Sequence, residues 1–450
     1  MSDLMAIGDS LFNGVRSLSI NATLAQWSAP SQLAKALGVG FDVPDYPAPV
    51  LMDMETWVHG FPFNLSHLST SLLQNLQLWQ GAPKSALPRF DNIAIASSTY
   101  SDMWLNTPAV AEASITRIMA DIQQGRSTVF DKLGDLFFAF NTRFLLNPQN
   151  DPVLRDKSSL DLVTDRQPKR LVVSIGANNG LWNMAFNAQA CPGLGQVDGL
   201  FGPKDMAALA EFVDRLTKLP PGVERIYVNA LPPASCTGVM MPFPPAEIAN
   251  KPGKGKYFAK YENRFGFNYA TLTGAQVAQN DAVVKAVNEQ VATLAKADPR
   301  IQLVPTDAAI AALNWKTDPT SGWIDGGEGR VISNEMLDDY WFGEEERWSG
   351  GIMGLDGMHP TIVGYNQMAK CIMETVVQTE GAVVVKGQLP TVAQALAADT
   401  LISRFPLMWN DIMDIWRDIR IISAGRAQAP AHANTADVER LMKHVDFKLN

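Results

Sequence analysis

Of the five histidines in the 450-residue chain, only His359 lies in a setting with a nearby acid, a glycine and a helix start. In Asp356-Gly-Met-His359-Pro360 the acid precedes the imidazole by three positions, so on a turn the carboxylate can hold the ring in one tautomer. Such a pair is half of a nucleophilic apparatus; the other half is a hydroxyl. The best-placed one is Ser10, in Gly8-Asp9-Ser10-Leu11, directly after the apolar residues Leu4, Met5, Ala6 and Ile7. A serine at the carboxyl end of a buried strand stands where open α/β sheets bind ligands. The bland alternative is that Asp9 and Ser10 only cap a helix, and a lone histidine is more often structural than catalytic. The chain order would be Ser, Asp, His. The Gly-x-Ser-x-Gly elbow of the α/β-hydrolases is absent.

Those groups need elements to carry them. Short apolar runs at residues 4–7, 91–96, 170–175, 224–230 and 301–304 read as five buried strands. Helical patterns fall between them: near Ser31 to the stop signal Gly38, Leu68 to Trp79, Pro108 to Leu146, Lys204 to Lys218, and Ala275 to Lys296. Strand and helix in alternation imply a doubly wound parallel sheet. A helix from Ile362 to Val377 follows Pro360, which suits a first helical turn. Residues 101–165 and 234–272 interrupt the alternation as insertions, the second a long loop or lid. Their Trp104, Phe137, Phe138, Met240, Met241 and Phe243 are expected to surround the cleft and to favour an apolar acyl or aryl group.

The chain divides into a core at 1–379 and an extension at 380–450. The extension is expected to hold a small strand (Ala382 to Val385) and helices from about Thr391 and Pro406. The last has a stripe of Met408, Ile412, Ile415 and Ile419 opposite Asp411, Asp414 and Asp418, and packing on the core is the expected use.

Apolar residues make up 46% of the chain and the formal net charge is −9, so a large core is available and nucleic acid is not the expected partner. The run from Lys251 to Lys256 lacks the ending of a phosphate-binding loop. Three cysteines at long spacings (Cys191, Cys236, Cys371) fit neither a zinc pattern nor a disulfide framework; buried free thiols are expected, with a Cys191–Cys236 pair the alternative. The acidic, aromatic cluster from Glu335 to Glu346 lacks EF-hand spacing and reads as solvated loop. No run of 18 apolar residues occurs, and no Sec-type signal opens the chain. The expectation is a cytoplasmic protein or one exported by a non-Sec route, of undetermined oligomeric state.

Together, Gly8-Asp9-Ser10-Leu11, Gly176-Ala-Asn178-Asn179 and Asp356-Gly-Met-His359-Pro360 resemble the first, third and fifth blocks of the SGNH/GDSL hydrolases, in the family's order. Asn92-Ile-Ala-Ile-Ala-Ser97-Ser98 is similar to the second block, and Leu-Pro-Pro233 after the fourth strand is also similar to the family. The resemblance spans about 1–376 in islands. It implies a flavodoxin-like five-stranded sheet and a serine esterase or lipase: Ser10 attacks an ester carbonyl, His359 carries the proton, and Asp356 orients the imidazole. The Ser10 and Ser97 N–H groups and the Asn178 side chain would then form the oxyanion hole. No cofactor or metal is implied, and the partner is a small-molecule or lipid ester. Two positions depart from the pattern. Ser97 stands where the family has glycine, with Ser98 as the one-residue alternative, and Asn179 stands in place of an aspartate, where it is expected to cap the following turn. Acyl transfer to an alcohol, carbohydrate O-deacetylation, and an inactive scaffold keeping the fold are the alternatives.

Overall fold

The computed structural model describes residues 3–59, 65–243, 252–253, 255–263, 270–314, 316, 324–325, 331–336, 338–340, 347–349 and 351–403. Its centre is a parallel sheet of four strands: β1 (Leu4–Gly8), β2 (Arg170–Ser174), β3 (Arg225–Asn229) and, after three short strands, β7 (Ile301–Val304). Their order across the sheet is β1-β2-β3-β7, with Leu4 opposite Arg170, Leu171 opposite Ile226 and Ile226 opposite Ile301.

Side chains alternate between two packed faces, as the two-residue period of a strand requires. Met5, Ile7, Leu171, Val173, Ile226, Val228 and Ile301 enter one apolar cluster. Leu4, Ala6, Val172, Tyr227 and Val304 enter another on the opposite face. The helices Pro108–Gln123, Leu133–Leu146, Pro203–Thr217 and Gly274–Ala295 supply residues to the first, and Ala29–Leu37 and Ile362–Glu380 to the second. A sheet covered on both faces explains why its strands are continuous apolar runs. Each fully buried Val, Leu or Ile contributes roughly 1.5–3 kcal/mol.

Where five strands were expected, the sheet has four. The segment 91–96 does run alongside β1: the Ala6 N–H donates to the Asp91 carbonyl (2.8 Å), Ile93 N–H to Ala6 (2.9 Å) and Ile95 N–H to Gly8 (2.8 Å). Only one parallel bridge forms, between Ala6 and Asn92. Asn92 turns its own amide to other backbone groups: its Oδ1 accepts the Ala94 N–H (3.2 Å) and its Nδ2 donates to the Phe12 carbonyl (2.8 Å).

The insertion at 101–165 is helical, and its polar end forms a helix, Ser159–Arg166, begun by a capping box between Ser158 and Asp161. The expected loop at 234–272 carries an antiparallel sheet of β4 (Met240–Pro242), β5 (Lys260–Asn263) and β6 (Thr271–Thr273). The expected strand at Ala382 to Val385 is instead a single 3-10 turn, Ala382–Val384, with no residue of it buried. After it the chain folds back: the Gly387 N–H donates to the Ala36 carbonyl (2.9 Å), and Ala395 and Leu401 are buried beside Ile352 and Ile362. The helix expected from Pro406, the tail histidines His432 and His444, and Lys251 and Lys254 of the basic run lie outside the described residues, as does most of the 335–346 cluster, whose described part falls in the strands Val331–Met336 and Asp338–Tyr340 and not in the expected loop. Among the described residues no helix is long and apolar enough to cross a membrane.

Candidate active site

The turn that carries Ser10 follows from backbone constraints at the end of β1. Gly8 has a φ of 136°, and a Cβ on it would fall 1.9 Å from the Ser174 carbonyl oxygen, so glycine alone lets β1 approach β2 there. The ladder continues one residue further, where the Asp9 N–H donates to Ser174 (2.8 Å). The chain then turns into a one-turn helix, Ser10–Asn13, capped by Asp9, whose Oδ1 accepts the Leu11 N–H (3.1 Å). The capping reading of Asp9 and the candidate-nucleophile reading of Ser10 are therefore compatible.

Neighbouring amides fix this turn. The Asn13 Nδ2 donates to the Ala94 carbonyl (2.8 Å) and the Tyr46 hydroxyl (2.9 Å), and the Tyr365 hydroxyl donates to the Val15 carbonyl.

Asp9 is wholly buried and its Oδ2 has no hydrogen-bond partner. Desolvation pushes its carboxyl up to about 7. The Leu11 N–H, a more weakly placed Ala177 N–H and the nearby His359 offset only part of that cost.

Asp356 and His359 sit on the tight loop between the strand Gly351–Met353 and the helix Ile362–Glu380. Both are buried. His359 Nδ1 lies 2.6 Å from Asp356 Oδ2, which also accepts the Leu18 N–H (2.8 Å), while Oδ1 accepts the Met358 (2.9 Å) and His359 (2.8 Å) N–H groups. Burial works to raise the Asp356 carboxyl, but His359 and these donors outweigh it and hold it below the ordinary carboxylate value.

Asn178 is in a single 3-10 turn, Ala177–Asn179, after β2. Gly176 precedes it with a φ of 113°, and the Tyr100 hydroxyl occupies the space a Cβ would need. The Asn178 Nδ2 donates one hydrogen to the Ser98 carbonyl (2.9 Å), which orients the amide and leaves its second hydrogen available. Asn179 does not cap the next turn. Its Oδ1 accepts the Tyr100 N–H (3.1 Å) and its Nδ2 donates to Asp205 Oδ1 (2.9 Å), tying two turns to the Pro203–Thr217 helix.

Ser97 has a φ of 71°, the left-handed conformation that glycine takes without cost. Its side chain is exposed and the residue does not line the cavity described below. The alternative donor, Ser98, has its N–H engaged with the Ile95 carbonyl (3.2 Å).

Ser10, Asn178 and His359 open onto one cavity of about 50 Å³ at the carboxyl ends of β1–β3. Its apolar wall comes from Leu11, Leu181, Trp182, Leu231, Met353 and Met358. Trp182 stacks on Phe186 (centroids 4.3 Å apart) and lies 6.1 Å from the His359 ring. The six aromatic and methionine residues expected around the cleft do not line it: Met240 and Met241 are buried in their own hairpin, and Trp104 lies under Arg215. The second insertion contributes Cys236 and Thr237. Cys191, Cys236 and Cys371 are all free and buried.

The sequence from residue 4 to residue 372 matches the family model of the GDSL-like lipases and acylhydrolases. The chain belongs to that family. No curated protein and no solved structure matches it. For a GDSL-like hydrolase, the parallel sheet flanked by helices is the expected scaffold, and the site lies where that scaffold's strands end.

Trp182, the burial of Asp9 and the Leu18 contact to Asp356 were missed in the sequence. Trp182 had a usable signal, its place four residues after Asn178 at a helix start; the other two depend on long-range packing.

Proposed function

We propose that this protein hydrolyses carboxylic esters with a short acyl group through a Ser10–His359–Asp356 triad and an acyl-enzyme. The observation that carries the reading is the 2.6 Å His359 Nδ1–Asp356 Oδ2 contact on a cavity shared with Ser10 and Asn178. With Nδ1 held by the carboxylate, Nε2 is the nitrogen left for the serine hydroxyl. Ser10 Oγ adds to the ester carbonyl as Nε2 takes its proton, and the tetrahedral oxyanion is held by the Ser10 N–H and the free hydrogen of the Asn178 amide, with the Ser97 N–H as a third donor. Collapse expels the alcohol, which receives the proton from His359. Water then repeats the sequence on the acyl-serine and releases the acid. No cofactor or metal enters these steps.

A cavity of about 50 Å³ has room for a few heavy atoms, which favours acetyl or propionyl over long chains. On the same reading, segment 91–96 takes the fifth, edge position of a flavodoxin-like sheet, and residues 380–450 form an extension of the 1–379 core.

The test is a chain-length series of p-nitrophenyl esters on the parent protein and on Ser10→Ala, with fluorophosphonate labelling mapped by peptide mass. Activity on acetate that falls along the series, absent in Ser10→Ala, with label on Ser10, supports the proposal. A Ser10→Ala protein that cleaves at the parent rate refutes it.

A further inference from the structure

Seven residues after the proposed nucleophile the backbone takes a costly shape. Arg16 and Ser19 exchange both backbone hydrogen bonds (each 2.9 Å), closing a two-residue hairpin whose central residues, Ser17 and Leu18, have φ values of 51° and 56°. Two successive positive φ angles define a type I′ turn, which Asn-Gly or Gly-Gly adopts readily. Ser-Leu does not, and such residues persist only where the surroundings over-determine them.

The turn delivers its polar groups to the loop carrying the proposed acid and base. The Leu18 N–H donates to Asp356 Oδ2 (2.8 Å), the oxygen that also holds His359 Nδ1. Ser17 Oγ accepts the Leu355 N–H (3.1 Å) and donates to Glu55 Oε1 (3.0 Å). Of the four donors on the Asp356 carboxylate, three come from its own loop, and Leu18 ties it to the nucleophile's segment.

A buried ion cluster holds the turn. The Arg16 guanidinium bonds both oxygens of Glu55 (2.6 and 2.5 Å), Asp399 Oδ1 (2.6 Å) and the Thr400 hydroxyl (2.8 Å). Asp399 is wholly buried and grips the other side of the site as well: its Oδ2 accepts the N–H of Ile362 (2.8 Å), the first residue of the helix that follows His359-Pro360-Thr361. It lies outside the family-matched stretch, which ends at residue 372.

We propose that Asp399, acting through Arg16, is a positioning residue of the active site. A C-terminal segment beyond the matched core locks the strained Ser17–Leu18 turn and the start of the following helix, so that the Leu18 N–H keeps Asp356 aimed at His359. The inference rests on the triad reading above and adds a residue that touches neither substrate nor triad.

The experiment compares Asp399→Ala, Asp399→Asn and Ser17→Ala with the parent on p-nitrophenyl acetate, measuring kcat and KM separately, the melting temperature, and the downfield proton resonance of the His359 Nδ1–Asp356 hydrogen bond. Glu380→Gln is the control: it weakens the Arg170–Glu380 pair (2.5 Å) at the opposite end of the sheet. Misplacing a reacting group by about 1 Å can cost roughly 100-fold, so Asp399→Ala is expected to lower kcat about 10- to 100-fold with KM changed less than about twofold. The downfield resonance broadens or moves upfield. Asp399→Asn, which keeps an acceptor for the Ile362 N–H, recovers part of kcat, and Ser17→Ala falls between. Glu380→Gln lowers the melting temperature alone. Asp399→Ala and Ser17→Ala behaving like Glu380→Gln, with parent kcat and an unmoved resonance, overturns the proposal. Where Asp399→Ala does not fold, Ser17→Ala decides on the same readouts. A parent protein inactive on every ester would instead sink the esterase reading, and the resonance would still decide the coupling.

Discussion

Replacing Asp9 by asparagine gives a stability difference that changes with pH in a direction fixed by burial. The carboxyl is pushed from an ordinary 3.8 to about 7 because it is wholly enclosed and its Oδ2 has no partner. Between those two values the folded protein holds a proton that the unfolded chain has released. Stability therefore falls as pH rises from about 4 to about 7 and the loss is complete above that. At about 1.36 kcal/mol for each tenfold change in proton affinity, a rise from 3.8 to about 7 means that the ionised carboxylate costs about 4 kcal/mol above pH 7.

The substituted asparagine keeps an oxygen for the Leu11 N–H but has nothing to titrate. Burying its amide adds a cost of about 1–3 kcal/mol that does not depend on pH. The depressed carboxyl of Asp356 works in the opposite sense, supplying stability above its unfolded value and losing it as pH falls through the lower folded one, but it is common to both proteins and drops out of the difference. Asp9→Asn is thus expected to gain about 4 kcal/mol on the parent between pH 4 and pH 9. With an unfolding entropy of about 2.1 cal/mol/K per residue, that is about 4 °C in melting temperature for a 450-residue chain. Paired calorimetric scans across that range measure it, and urea titrations at 25 °C give the free energies directly. A difference that stays flat from pH 4 to pH 9 would refute the reasoning, since Asp9 would then titrate in the folded protein as it does in the unfolded one.

Two other substitutions probe the cavity. Asn178→Ala removes the proposed oxyanion donor and is expected to lower kcat by about 10²- to 10³-fold with little change in KM; a loss carried by KM alone would assign the amide to ground-state binding. Trp182→Ala removes the indole that walls the cavity beside His359, so the preferred p-nitrophenyl ester should lengthen from acetate by several carbons. Each added methylene would be worth about 1–3 kcal/mol in kcat/KM, and an unchanged acetate preference would place the limit on chain length elsewhere.

Much of the scaffold was legible in the sequence because the sheet is buried on both faces. That burial turns each strand into a run such as Leu171-Val172-Val173, which needs no partner to be recognised. Gly38, Pro108 and Gly8 marked boundaries for equally local reasons: a left-handed helix end, a first helical turn, and a turn that tolerates no side chain. Segment 91–96 has the apolar residues of a strand and follows β1 through three backbone hydrogen bonds, yet forms only one bridge, a difference in pairing that composition does not carry. The insertion residues misled for a different reason. Composition identifies Met240, Met241 and Phe138 as apolar but says nothing of whether the apolar surface they seek is the cleft or their own hairpin and helices.

The candidate residues came into view individually, whereas the means of holding them did not. Ser10 and Asn178 each follow a strand whose pattern is local, and Asp356 and His359 stand at a recognisable spacing just before the Ile362–Glu380 helix, so each could be found from its own stretch of sequence. Their relative placement depends on contacts between parts of the chain that no pattern links: Asn13 with Ala94, Asn178 with Ser98, Leu18 with Asp356, Arg16 with Asp399. Nearly all of these use a backbone group or a side chain common on protein surfaces, so residue type carries no signal of the role. Spacing carries none either, because the insertions between the turns can change in length without moving the strand ends that present them. What the chain must preserve is the set of buried donors and acceptors around each turn. A buried group that loses its partner costs about 1–3 kcal/mol, and a displaced catalytic group costs rate as well. The positions most sensitive to substitution should therefore include Asn13, Asn92 and Arg16, none of which lines the cavity.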